Sequence, residues 1–241
     1  MRLQKVEISK KFIVGALVFI LLSVIYQLHA DLLVPTMKLY DAEPEEPGMM
    51  VVIDPGHGGA DPGAVVGKTR EADINMQLAK ALRKLMESAG FQVVMTRSGD
   101  WGLVPQERMT YADQVSILQQ RKDFAAEMGG QLFISLHANS NQDTRVSGGI
   151  VYYTGASSRP LALMIQQSLN QVSGKSWQPV EKDFSITKGN KMPSVLVEAA
   201  FLTNRNDREI LTTKPEVLAQ AIFAGIEDFV KNTLGEGGVP D

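Results

Sequence analysis

From residue 50 onward, short runs of β-branched and aliphatic residues alternate with stretches in which apolar positions recur every three or four residues. The first run, Val51-Val52-Ile53, is stopped by Asp54-Pro55-Gly56, so it reads as a buried strand that ends in a tight turn. An amphipathic helix follows over 73–89, with Ile74, Leu78, Ala81, Leu82 and Leu85 on one face and Gly90 behind it. The pattern predicts further strands at 91–96, 132–139, 148–154 and 194–198. It predicts helices ending near 128, over 159–172, and from Pro215 through Phe229. Such alternation implies an α/β fold: a single domain with a mostly parallel twisted sheet of about six strands and helices on both faces.

Upstream lies a largely apolar, uncharged run from Phe12 to Leu28, preceded by Arg2, Lys5, Lys10 and Lys11. The run is near the lower limit of about 17 residues for crossing a bilayer. Its basic flank predicts residues 1–11 in the cytoplasm and the rest outside. The expectation is an N-terminal transmembrane anchor and an extracytoplasmic protein. A cleaved signal peptide, which would make the protein secreted, is the competing reading, but Leu28-His29-Ala30 is a poor small-x-small cleavage site. Residues 29–48, acidic and proline-rich in their second half, suit an extended linker. A globular domain is expected over 49–234, with a disordered tail at 235–241.

Composition narrows the chemistry. A net charge of -3 supplies no general basic field, so nucleic acid is not an expected partner. The chain has no cysteine, which excludes disulfides, Fe–S clusters and thiolate zinc sites. His, Asp and Glu remain as metal ligands.

Only three histidines are present, and two of them sit at strand ends. His57 follows the first strand between glycines, and His137 closes Leu132-Phe133-Ile134-Ser135-Leu136. Glu198 ends the strand that begins at Ser194, so a parallel sheet brings all three to one edge, where ligands of open α/β sheets bind. Glu71 lies on the connection that leaves the His57 loop. Two imidazoles and a carboxylate form a set that catalytic zinc uses, and a further carboxylate can accept a proton from water and pass it to a leaving amine. Glu198 is placed for that task. Blander readings stand beside these: Glu71 as a favourable charge at a helix N-terminus, and Glu198 as an exposed boundary residue. Asp54 either shapes its turn or holds a ligand histidine from behind. Trp101 and Trp177 are either glycan contacts or packing residues.

The motifs VVIDPGHGGADPGA, READINMQLAKAL, MTRSGD, LFISLHAN, GGIVYYT and MPSVLVEAAFLTN occur in that order between residues 51 and 204. Together they resemble the zinc-dependent N-acetylmuramoyl-L-alanine amidases of the amidase-3 family, over nearly all of residues 50–233. The resemblance implies that His57, Glu71 and His137 bind Zn2+ and that Glu198 is the catalytic carboxylate. It implies cleavage of the peptidoglycan amide that joins the lactyl group of N-acetylmuramic acid to L-alanine. The layout of anchor, linker and one catalytic domain is similar to the germination-specific, spore-cortex branch, which helps make muramic δ-lactam in concert with a deacetylase. No wall-binding repeat is appended, which leaves targeting to the anchor or to an activating partner.

Two departures carry consequences. Ala200 stands where the family commonly has glycine; a positive φ there would strain it by about 1 kcal/mol or more. No long insertion separates Thr154 from Ser194, so self-inhibition by a blocking helix is not expected. The same site chemistry also suits a zinc peptidase that cuts within the stem peptide. A wall-binding module with an inactive site is the alternative from another class, although such a module has no need of Glu198.

Overall fold

The computed structural model describes residues 10–33, 48–99 and 110–234. The chain divides into two units, Met1–Glu46 and Pro47–Asp241. Of the first, one helix is described, α1 (Lys10–Leu33). Its side chains from Leu17 to Leu22 are all apolar and exposed, so no face of that stretch is polar. Among the described residues no helix is long and apolar enough to cross a membrane, and the expected transmembrane segment is not confirmed. Most of the expected linker and cytoplasmic end, the tail and Trp101 lie outside the described residues.

The second unit begins with β1 (Met50–Pro55), followed by a short hairpin of β2 (Val65–Val66) and β3 (Thr69–Arg70) that leads into α2 (Glu71–Ser88). Next come β4 (Gln92–Met95), α3 (Tyr111–Glu127), β5 (Leu132–Asn139) and β6 (Ile150–Tyr153). Then α4 (Arg159–Ser173), β7 (Val180–Glu181), β8 (Ser194–Phe201), α5 (Arg205–Thr213) and α6 (Pro215–Leu234) complete the described residues. The six-stranded sheet has the order β4-β1-β5-β8-β6-β7. Every pair is parallel except β6 with β8. The sheet is therefore mostly parallel, as the alternation predicts. The short β2, β3 and β7 and the nine-residue α5 escape a periodicity reading because they are too brief to show a period.

Strand parity divides the core. Val51, Ile53, Leu132, Ile134, Leu136, Val195 and Val197 pack with α2, α4 and α6 in one large cluster. The alternate residues Val52, Phe133 and Leu196 pack with Ala125 and Leu118 of α3 and with Phe184 and Ile186 of the loop before β8. Both faces are thus covered, and burying each such side chain contributes about 1.5–3 kcal/mol. The parity has a chemical consequence: residues that continue the smaller face, Asp54, Ser135, His137 and Glu198, point to the α3 side. Helix ends are secured locally. Thr110 and Asp113 form a capping box for α3, and the Asn204 side chain accepts from the N–H groups of Asn206 and Asp207 to start α5.

Candidate active site

Neighbouring strands β1, β5 and β8 deliver the site. His137 lies directly opposite Glu198 in the β5–β8 register, and Asp54 lies opposite Ser135. The three strands thus place the β1 turn, His137 and Glu198 at one edge of the sheet, as their parallel order requires. A cleft of about 460 Å³ opens there, lined by the His57 loop, His137 and Glu198 on one side and by α3 and Phe184–Ile186 on the other.

Glu71 is the first residue of α2 rather than part of the connection before it. Its carboxylate sits at the helix N-terminus but turns toward the histidines. Oε1 is 3.1 Å from His57 Nε2 and 2.9 Å from His137 Nδ1, and it accepts the Ala138 N–H at 3.3 Å. Oε2 accepts the Ala64 N–H at 2.9 Å. Burial opposes the charge, but hydrogen bonds from His137 and His57 hold the Glu71 carboxyl well below the usual range. One ligand atom each from His57, Glu71 and His137 lies within 4.8 Å of the others, a group that can hold a metal ion.

Several backbone features serve this convergence. His57 has φ of 61°, the only positive value at a non-glycine residue among those described. Such a conformation persists only where the surroundings enforce it. Here the His57 carbonyl accepts Arg121 Nη2 at 2.7 Å and its ring Nδ1 meets Asp61 Oδ2 at 2.8 Å. A Cβ at Gly56 would stand 2.2 Å from the His137 ring, and one at Gly63 (φ 64°) would stand 2.6 Å from Glu71 Oε2. Glycine at both positions lets the backbone close around His137 and Glu71.

Asp61, not Asp54, supports a histidine. Its carboxyl is held low by the hydrogen bond with His57, and an ionised carboxylate only accepts. Nδ1 of His57 therefore carries a proton that it donates to Asp61, and this bond turns Nε2 toward Glu71. Burial disfavours the His57 imidazolium, but the bonds to Asp61 and Glu71 outweigh it and raise the pKa to about 9. The pocket thus favours a cation between these groups, whether a proton or a metal ion. Asp61 went unassigned in the sequence, although its Asp61-Pro62-Gly63 repeats the Asp54-Pro55-Gly56 turn and marks a second sharp bend beside His57.

Asp54 instead anchors the floor. It is 1% exposed, and it accepts from Arg121 Nη1 at 2.9 Å, Thr96 Oγ1 at 2.5 Å and Ser135 Oγ at 2.7 Å. Burial opposes its charge, but Arg121 and the two hydroxyls hold its carboxyl below the ordinary value. Asp54→Ala leaves the Arg121 guanidinium buried without its counter-charge, and should cost about 3–5 kcal/mol in chemical denaturation. The lowered folded pKa makes Asp54's contribution complete above its unfolded value of about 3.9 and lost as pH falls through the folded one. The stability gap between wild type and variant should therefore shrink in acid below about pH 4.

Glu198 differs from all of these. Its Oε2 is buried and has no hydrogen-bond partner among the described residues. Burial pushes its carboxyl up; His137 opposes this and the like charge of Glu71 adds to it. A carboxylate that faces the cleft, is not consumed by structure and has a raised proton affinity suits proton transfer.

Residues 51–228 match the amidase-3 family model, described as N-acetylmuramoyl-L-alanine amidase. The chain belongs to the amidase-3 family. Among its relatives, the N-acetylmuramoyl-L-alanine amidase LytC of Bacillus subtilis is 34% identical over 76% of this chain, which spans only 36% of that protein's length. The germination-specific N-acetylmuramoyl-L-alanine amidase of the same organism is 30% identical, covering 74% of this chain and 78% of the relative. Among solved structures, the CwlD amidase of Clostridioides difficile in complex with the GerS lipoprotein aligns at a TM-score of 0.72. It has 32% identity and covers 77% of this chain and all of that one.

In this amidase-3 chain Ala200 lies inside β8, buried and without a positive φ, so the replacement of the common family glycine is not strained. Trp177 is exposed, with its indole N–H donated to the Ser147 carbonyl at 3.2 Å. It does not line the cleft.

Proposed function

We propose that this protein is a zinc-dependent N-acetylmuramoyl-L-alanine amidase that acts on spore-cortex peptidoglycan in the maturation that leads to muramic δ-lactam. In this reading His57, Glu71 and His137 hold Zn2+, and Glu198 is the catalytic carboxylate. The observation that carries it is the meeting, in one cleft, of three mutually satisfied ligand groups with an unpartnered buried carboxylate oxygen. Bound zinc supplies Lewis acidity, which makes water nucleophilic at neutral pH and polarises the amide carbonyl. Glu198 Oε2 takes the proton of the attacking water and hands it to the departing alanine nitrogen, so the amine leaves neutral. Asp61 keeps the His57 proton on Nδ1, and the Gly56 turn presses His137 toward the site.

The cortex assignment rests on likeness to the germination-specific relative and to CwlD. The lipoprotein in the CwlD complex suggests a protein partner here too, beside a deacetylase that completes the lactam. The apolar exposure of α1 supports attachment of residues 12–28 to the membrane, with 29–48 as a tether that holds the catalytic domain, 49–234, on the outer side.

The test uses the full chain in detergent, loaded with zinc, on purified cortex peptidoglycan, with released ends identified by mass spectrometry. Stem peptides beginning with L-alanine, absent after chelation, are expected. Cuts between stem residues would establish a peptidase instead.

A further inference from the structure

The cations around the cleft have separate engagements. Arg121 lines it but is committed to Asp54 and to the carbonyls of Pro55 and His57. Lys122 donates to the Lys188 carbonyl, and Lys188 pairs with Asp183 at 2.6 Å. Lys182 is different. Its Nζ lies 4.5 Å from the centroid of the Phe184 ring and 5.6 Å from that of Tyr152, and among the described residues it has no anionic partner in contact. The two rings meet edge to face at 5.2 Å, so they form a fixed platform under the ammonium. The backbone at Lys182 is also secured, for its N–H donates to the Tyr153 carbonyl and its own carbonyl accepts Thr154 Oγ1.

Phe184 lines the cleft, so this platform sets an exposed positive charge at the cleft rim. A pre-positioned cation without an anionic partner, at the rim of the cleft that holds Glu198, is suited to an anion on the substrate. The scissile amide consumes the lactyl carboxyl of muramic acid, so the neutral N-acetylated sugar offers no charge. The peptide side of that amide does, through the free carboxylates of its later residues.

Resting on the amidase reading above, we infer that Lys182 is a specificity-determining residue that pairs with a free carboxylate on the peptide side of the scissile bond. Phe184 and Tyr152 hold its ammonium in place. Preference among peptidoglycans then depends on whether that carboxylate is free or amidated.

The experiment compares full-length zinc-loaded wild type, Lys182→Met and Lys182→Arg. The substrates are two peptidoglycan preparations that differ only in whether the α-carboxylate of the second stem residue is free or amidated. Wild type should favour the free acid about three- to fivefold in kcat/KM, the scale of a solvent-exposed ion pair. In Lys182→Met the preference should fall to about one through KM, while Lys182→Arg keeps it. The wild-type preference should also shrink with added salt. An equal loss on both substrates, or a change in kcat alone, would show that Lys182 acts on Glu198 or on the fold and would overturn the proposal. Zinc-loaded wild type that is silent on both preparations would overturn the amidase reading, and this inference with it.

Discussion

Glu198→Gln should abolish turnover while zinc stays bound. The substitution keeps the size and position of the side chain at the end of the Leu196–Glu198 face but removes its ability to accept a proton. General acid–base catalysis typically contributes about 10²–10⁴-fold, so kcat should fall by at least that range. None of the ligand atoms belongs to Glu198, so metal content by elemental analysis should match wild type. Thermal stability should be held or slightly raised, because the amide replaces a buried carboxyl whose Oε2 has no partner. A variant that keeps substantial activity would falsify the assignment of Glu198 as the proton carrier.

His57→Ala should lose both metal and activity. His57 offers one of the three groups able to hold a metal ion, and its ring also links Asp61 to Glu71. Without it only Glu71 and His137 of that group remain, where catalytic zinc takes three protein ligands, and Asp61 loses its partner. The contrast with Glu198→Gln is what makes the pair informative: one variant should be inactive with zinc, the other inactive without it. Full zinc occupancy in His57→Ala would contradict the ligand assignment.

Much of this arrangement was legible in the sequence because it follows from two short-range rules. Apolar runs stopped by turn residues located β1, β5 and β8, and a mostly parallel order of such strands necessarily collects their downstream ends. That is enough to bring His57, His137 and Glu198 to one edge. Glu71 was harder, since a glutamate at a helix start reads more readily as a favourable charge with the helix dipole. Only the fold shows the same carboxylate turned onto both histidines while it accepts the Ala64 and Ala138 N–H groups. Asp54 was open in the sequence between shaping its turn and holding a ligand histidine, and the fold sends its contacts to Arg121, Thr96 and Ser135 instead of a histidine. Those partners are 42 to 81 residues away in sequence, and no local pattern announces them.

The sequence by itself determined the alternation of strands and helices, the apolar first helix, the absence of thiol chemistry and the residues able to ligate a metal. These are properties of residue type and of spacing within one element, where the period of a strand or a helix is set by backbone geometry alone. Tertiary structure alone decided which face of the sheet carries the site, that Asp61 rather than Asp54 holds His57, and that Lys182 stands on two aromatic rings at the rim. It also settled that Ala200 is at ease in β8. Each of these depends on which strands become neighbours and in what register, and register is chosen by packing both sheet faces at once, an energy that no single segment contains.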